Sequence, residues 1–255
     1  MTFDLAAVLR HGWGLWRRDR VVLAPLSGLL VFVPQWAVLL LVPEAPRIGD
    51  NPDQPAAMAA WSDALSAWMA AHGGWYVAAM VLAQYTTVAV AALYLARPAS
   101  DVGGALIRAL RVLLRYILAG LVVALPLAAV AWAALSLPLG ILLAMPPIFY
   151  VLGRSCLVAP VIVAEPGRGV WAALGRSWAL TRGRGFGVAV LVGGITAAGQ
   201  LVASVVVGID HVLKLGGMGN PVTLAIVDAS AAGATWASAL ALALVQVVLY
   251  RRLAR

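Results

Sequence analysis

Long apolar runs separated by short, arginine-rich polar segments organise this chain. About 20 mostly apolar helical residues suffice to cross the hydrocarbon of a bilayer. Six runs meet that length, at 21–43, 74–96, 112–135, 138–164, 186–209 and 223–250. The third and fourth are separated only by SLPLG, which predicts a tight helical hairpin. The sixth run is long enough to tilt. The pattern predicts an all-α, polytopic membrane protein whose residues 1–255 form one six-span domain.

Between the runs the period changes to that of amphipathic helices. Residues 4–19 place Leu5, Val8, Leu9, Gly12, Trp13 and Trp16 on one face, with Arg10 and Arg17 away from it. Residues 104–115 group Arg108, Arg111 and Arg115. Residues 168–182 set Trp171, Leu174 and Trp178 apart from Arg176. Each predicts a short interfacial helix before spans one, three and five. The local strings AVLR, ALIR and ALGR begin at 7, 105 and 173, and suggest a threefold unit of interfacial helix plus hairpin at 4–96, 101–164 and 168–250. On the other side, EAPRIGDNPDQP at 44–55, with the acids Glu44, Asp50 and Asp53, reads as loop. Met58, Trp61, Leu65 and Trp68 then predict an amphipathic helix over 56–72, lying along the outer boundary.

Composition agrees with burial in lipid. The chain is 63% hydrophobic and 11% charged, with a mean hydropathy of +0.95. Soluble domains hold roughly 45–50% apolar and 25% charged residues. The net charge of +8 could suggest nucleic acid, but its arginines hug the spans and leave no soluble domain to dock a duplex. Their placement instead orients the chain. Arg10, Arg17, Arg18, Arg20, Arg97, Arg108, Arg111, Arg115, Arg168, Arg176, Arg182, Arg184, Arg251, Arg252 and Arg255 fall on one side, and only Arg47 and Lys214 on the other. That predicts a multi-pass membrane protein with both termini cytoplasmic. The first apolar run is too long and too far along the chain for a cleavable leader. The single cysteine, Cys156, excludes an intrachain disulfide.

Polar residues inside the runs are the candidate functional residues, because each is costly in hydrocarbon. Arg154 interrupts VLGRSCLVAPVIVAE; about eleven residues from the inner end of span four, it lies ~16 Å deep at 1.5 Å per residue. Gln84, Gln200 and Asp228 are the others, and Asp228 is the acid that could pair with Arg154. Three readings stay open: a polar pin between helices, a cavity for a headgroup or ion, or a span four short enough to leave Arg154 near the interface. Pro146-Pro147 predict a break in span four, and Pro160 weakens the helix beyond Arg154. Ala229, Gly233, Ala237 and Ala241 form a small-residue stripe on span six. The arginines Arg10, Arg17, Arg108, Arg111, Arg115, Arg176 and Arg182 are the candidate contacts to anionic headgroups.

Catalytic signatures are missing. The sequence holds no HExxH, GxSxG, P-loop or dinucleotide-binding glycine pattern. His11, His72 and His211 show no ligand spacing. The expectation is a non-enzymatic protein without metal or cofactor.

The segment RSCLVAPVIVAEPGRGVWAALGRSWALTR, at 154–182, resembles the YciC-like family of bacterial inner-membrane proteins. It is also similar to the membrane domain fused to some glycerophosphoryl diester phosphodiesterases. Arg154, Pro160, Glu165, Ala173, Leu174, Arg176, Ser177, Trp178, Leu180 and Thr181 carry the resemblance, with WGLWRRDR near the N-terminus. It implies six spans, a place in a bacterial inner (cytoplasmic) membrane and proximity to lipid. This chain lacks the phosphodiesterase domain and its metal-binding acids, so that catalysis does not carry over.

Three functions remain in play. Arg154, a broken span four and the cationic inner face favour lipid handling, with anionic phospholipid as partner. The stripe on span six and the outer helix favour an assembly subunit with a membrane-protein partner. A small-solute transporter requires a polar path through Gln84, Arg154, Gln200 and Asp228.

Overall fold

The computed structural model describes residues 4–47, 55–96, 101–135, 137, 139–215 and 220–254. Arg97, Arg255, Asp50, Asp53 and residues 216–219 lie outside the described residues. The described residues are mainly helical, without strands: α1 Leu5–Ser27, a π-helical turn Gly28–Phe32, α2 Val33–Leu41, α3 Pro55–Leu95, α4 Val102–Leu135, α5 Gly140–Ser155, α6 Val158–Ala164, α7 Val170–Leu180, α8 Gly185–Leu215 and α9 Pro221–Leu253. Six helical segments are long and apolar enough to span a membrane: Leu5–Leu41, Ala56–Leu95, Val102–Ala134, Leu142–Ala164, Gly185–Lys214 and Pro221–Leu253. The chain is an integral membrane protein with the six spans expected of it.

Local chemistry sets the ends. Asp4 caps α1, its carboxylate accepting from the Ala7 amide at 2.9 Å. Asn220 caps α9 in the same way at 2.9 Å, ahead of Pro221. Arg251 and Arg252 close α9, where cations suit the dipole. The π turn lies just before Pro34, whose missing N–H leaves the ladder to be re-registered; the Val33 amide reaches back to the Gly28 carbonyl. The hairpin between α4 and α5 is as tight as SLPLG predicts. Leu139 takes a left-handed φ of 61°. A Cβ on Gly140 would stand 2.1 Å from the Ala134 carbonyl oxygen, so only glycine fits.

Several helices run further than the sequence pattern suggests. The segment 104–115 is not a separate interfacial helix but the first half of the 34-residue α4. Nothing at Arg115–Tyr116 breaks a helix, and a change of solvent from water to lipid does not disturb hydrogen bonds made within the backbone. The segment 4–19 continues into span one with a kink at Asp19, whose φ and ψ are −113° and 17°. Asp19 is pinned there by Arg18 at 2.8 Å and by the Tyr94 hydroxyl at 2.6 Å. Only 168–182 yields a helix of its own, α7. The outer helix expected at 56–72 merges with span two in the 41-residue α3. Its tryptophans turn inward: the Trp61 and Trp68 indoles donate to the carbonyls of Pro46 and Pro43, each at 3.0 Å.

The helices α8 and α9 form a hairpin, with α5 against α8, α1 along α9 and α3 beside α4. The short α6 is buried among α3, α4, α7 and α9, and its residues from Val158 to Val163 are all buried. A seven-residue helix that is apolar all round needs that central position. Core residues from α3, α4, α6 and α7 pack as one cluster, among them Val88, Ala109, Ile162 and Ala173. Val8, Leu157, Val188 and Val248 form a second. Hydrogen bonds from Arg252 to the Ala7 carbonyl, Arg251 to the Tyr94 carbonyl and Arg115 to the Pro166 carbonyl gather the arginine-rich segments at one end, the basic end.

Candidate functional site

Span four is broken at Cys156–Leu157, between α5 and α6, and not at Pro146-Pro147, which stay inside α5. Pro160 explains the position. In an unbroken helix its ring would meet the Cys156 carbonyl, and it has no N–H to offer. As the third residue of α6 it costs nothing, because first-turn amides have no partner within the helix. The break frees the Arg154 carbonyl and the Leu157 amide. The Ser177 hydroxyl of α7 serves both: it donates to the Arg154 carbonyl at 2.6 Å and accepts from the Leu157 amide at 3.3 Å. Ser177 is fully buried. At the diproline no side chain among the described residues supplies such a service.

Arg154 then closes the other half of the junction. Its Nη2 donates to the Trp178 carbonyl at 2.7 Å, in the last turn of α7, and its Nη1 to the Tyr150 hydroxyl at 2.9 Å. The guanidinium lies over the Trp178 ring at 4.9 Å and the Tyr150 ring at 5.6 Å. A cation on orphan carbonyls at a helix C-terminus is the favourable arrangement. Arg154 also packs on Gly185, the first residue of α8, where an added Cβ would stand 2.7 Å from its Cδ. It therefore sits where span five begins. The depth of ~16 Å counted along a straight helix is corrected by the break, which turns the chain inward after Arg154. The pairing of Arg154 with Asp228 does not form. Asp228 lies at the opposite end, and the Arg154 partners are Tyr150 and Trp178.

Glu165 is the second hub of this end. It accepts from Arg176 at 3.3 Å and the Tyr250 hydroxyl at 3.1 Å, and pairs with Arg168. It joins α6, α7 and α9 just outside the spans. Burial works to raise its carboxyl pKa, but the Arg168, Arg176 and Tyr250 donors together outweigh that and hold it below the ordinary 4.5. A carboxyl depressed on folding stabilises above its unfolded pKa, and that contribution is lost as pH falls through the folded one. Glu165→Gln should cost about 1–2 kcal/mol near neutral pH, less than a fully buried network because both arginines are partly exposed. The gap between the melting curves of wild type and variant should hold steady down to pH 5.5 or so and narrow once pH passes below the reference value of 4.5. A gap independent of pH would remove Glu165 from that role.

Of the headgroup candidates, Arg17, Arg111 and Arg182 are exposed and their side chains form no hydrogen bond or ion pair among the described residues, and the side chains of Arg20 and Arg184 are likewise free. Arg10 makes a loose pair with Asp4 at 3.8 Å, worth little. Arg115 and Arg176 are committed to internal bonds, and Arg108 is half-buried. Exposed Trp13 and Trp171 stand with them at the basic end, as aromatic residues do at a membrane boundary. Beside Arg154, an open apolar cleft of about 560 Å³ lies between α4, α5 and α7, walled by Val123, Pro126, Val151, Trp171, Leu174 and Trp178.

The opposite end holds a polar cavity of about 730 Å³. It unites two of the sequence candidates, Gln200 and Asp228, with Glu44, Arg47, Ser204, Asp210 and Lys214. Gln84 sits half-buried on α3 and lines neither space; nearby Tyr85 donates to the Leu106 carbonyl at 3.0 Å and ties α3 to α4. The solute path through all four residues is thus not assembled. Glu44 and Lys214 were missing from the sequence candidates, although Asp210 and Lys214 at i and i+4 pair at 2.6 Å. Hydrogen bonds from Lys214 and Arg47 hold the Glu44 carboxyl below its ordinary pKa. The span-six stripe also divides: Gly233 faces Phe32, while Ala237 and Ala241 line an apolar groove of about 410 Å³ against Trp13 and Trp16 of α1. Compared with family models, with curated proteins and with solved structures, the chain matches none.

Proposed function

We propose that this protein handles phospholipid in a bacterial inner membrane, with its basic end and both termini cytoplasmic, and that it belongs with the YciC-like proteins it resembles. One observation carries the reading. The apolar cleft between α4, α5 and α7 is lined by Trp178 of the last turn of α7, and the arginines Arg182 and Arg184, whose side chains are unpaired among the described residues, follow soon after α7. An acyl chain fits the cleft, and its phosphate then lies among unpaired guanidinium groups, each worth ~1 kcal/mol near an anionic surface. Arginine also offers phosphate a bidentate contact. Arg154 positions α7, and through it one wall of the cleft.

The test fills the cleft. Gly175 lines it, and a Cβ added there meets nothing within 4 Å. Gly175→Leu therefore sends its side chain from open space into the cleft, and replacing a helical glycine favours folding by about 1 kcal/mol. Lipids retained in mild detergent, counted by native mass spectrometry, should fall in Gly175→Leu while its melting temperature holds or rises. Unchanged anionic lipid in that variant would place the site elsewhere and turn the search to a protein partner.

A further inference from the structure

We infer that the polar cavity at the end opposite the arginines binds an ammonium group, carried either by a zwitterionic phospholipid headgroup or by a free amine. The inference stands apart from the cleft at the basic end, with which it shares no residue. Its starting point is an imbalance. Three carboxylates, Glu44, Asp210 and Asp228, face two cations, Arg47 and Lys214. Both cations are drawn to Glu44, Lys214 at 3.2 Å and Arg47 from three residues further along the chain.

The shortage of donors falls on the two buried acids. Asp210 is 6% exposed and Asp228 is 7% exposed. Lys214 reaches Oδ2 of Asp210 at 2.6 Å, but Oδ1 is buried without a partner. Asp228, across the cavity on α9, accepts no hydrogen bond among the described residues. Buried carboxylate oxygens need donors. The ligand that satisfies them is cationic and rich in N–H. Gln200 and Ser204 add neutral acceptors on the α8 wall. Val38, Leu39, Val42 and Val207 give the cavity an apolar side as well. That mixture suits an organic ammonium better than a bare ion. The described residues contain no group of three metal-binding side chains. The volume is also in the range of small-molecule sites.

The experiment uses the full chain in mild detergent with three probes: phosphatidylethanolamine, its N-acetylated form, which keeps the phosphate but has no ammonium, and ethylamine. Native mass spectrometry should show phosphatidylethanolamine retained over the N-acetylated lipid. Titration calorimetry should show whether ethylamine alone saturates. Asp228→Asn and Asp210→Asn should each weaken ammonium binding roughly tenfold or more, because a charge-assisted bond is lost. Binding of the lipid but not of ethylamine assigns the headgroup; saturable ethylamine binding assigns a free amine. Equal retention of the two lipids with no ethylamine heat overturns the inference, and needs no variant that folds. Equal affinity in well-folded Asp228→Asn and Asp210→Asn does so too. Gly175→Leu should lower total phospholipid retention but leave the preference for phosphatidylethanolamine over its N-acetylated form, and the ethylamine heat, unchanged, which separates this site from the cleft.

Discussion

Gly153→Ala should destabilise the protein by about 1–3 kcal/mol, the usual cost of overpacking, and by more if α5 and α8 cannot part. A Cβ at Gly153 would stand 2.5 Å from the Ala189 Cα and 2.8 Å from its amide nitrogen. Those atoms are backbone, so no rotamer change relieves the contact. Across the interface Gly185, Ala189, Gly193 and Ala197 recur every fourth residue along α8. A Cβ on Gly193 would likewise reach the Phe149 ring at 3.0 Å. Small residues let membrane helices approach closely, and here close approach sets the position of Arg154 and the start of α6. Thermal unfolding in detergent is the measurement. The comparison is Gly175→Leu, a far larger addition whose sign is opposite because its Cβ enters open space. A Gly153→Ala melting temperature at or above that of wild type would mean that α5 and α8 are not in backbone contact.

The six spans were legible because apolar composition over a span's length is a property of each run alone. Helix boundaries were less so. Amphipathic stretches such as 104–115 announce where water and lipid meet, but a helix ends only where its hydrogen bonds end, and no such point exists inside α4. The stripe on α8 was overlooked in favour of the one on α9, because alanine and glycine periodicity is common in a chain this rich in both. Arg154 was legible as an exception and not as a position. Counting rise per residue assumes a straight helix, and the break at Cys156–Leu157 voids the count. Gln200 and Asp228 were visible as polar residues within apolar runs. Their companions Glu44 and Lys214 were not, because charges beyond the span ends read as ordinary loop. What brings them together is the tertiary approach of the α2–α3 connection to α8, marked by the Lys214–Glu44 pair at 3.2 Å.

Ser177→Ala should lower stability by about 2–3 kcal/mol, because a single deletion orphans two buried backbone groups. The two are unequal. The bond to the Arg154 carbonyl is short at 2.6 Å, whereas that from the Leu157 amide is long at 3.3 Å, so most of the loss comes from the carbonyl. Water does not readily compensate, since Ser177 and Leu157 are both fully buried. Arg154→Ala gives the informative contrast. It removes the donor to the Trp178 carbonyl, but that oxygen keeps the Thr181 hydroxyl at 3.3 Å. Arg154→Ala should therefore cost less than Ser177→Ala, although it removes a charge and the larger side chain. Melting temperatures of the two variants in one detergent decide the order. If Arg154→Ala proves the more damaging, the guanidinium is the fastener of the α5–α7 junction and the hydroxyl is secondary. If Ser177→Ala is the worse, the junction rests on the hydroxyl. Lipid lost from a well-folded Arg154→Ala then reports on the cleft wall rather than on unfolding.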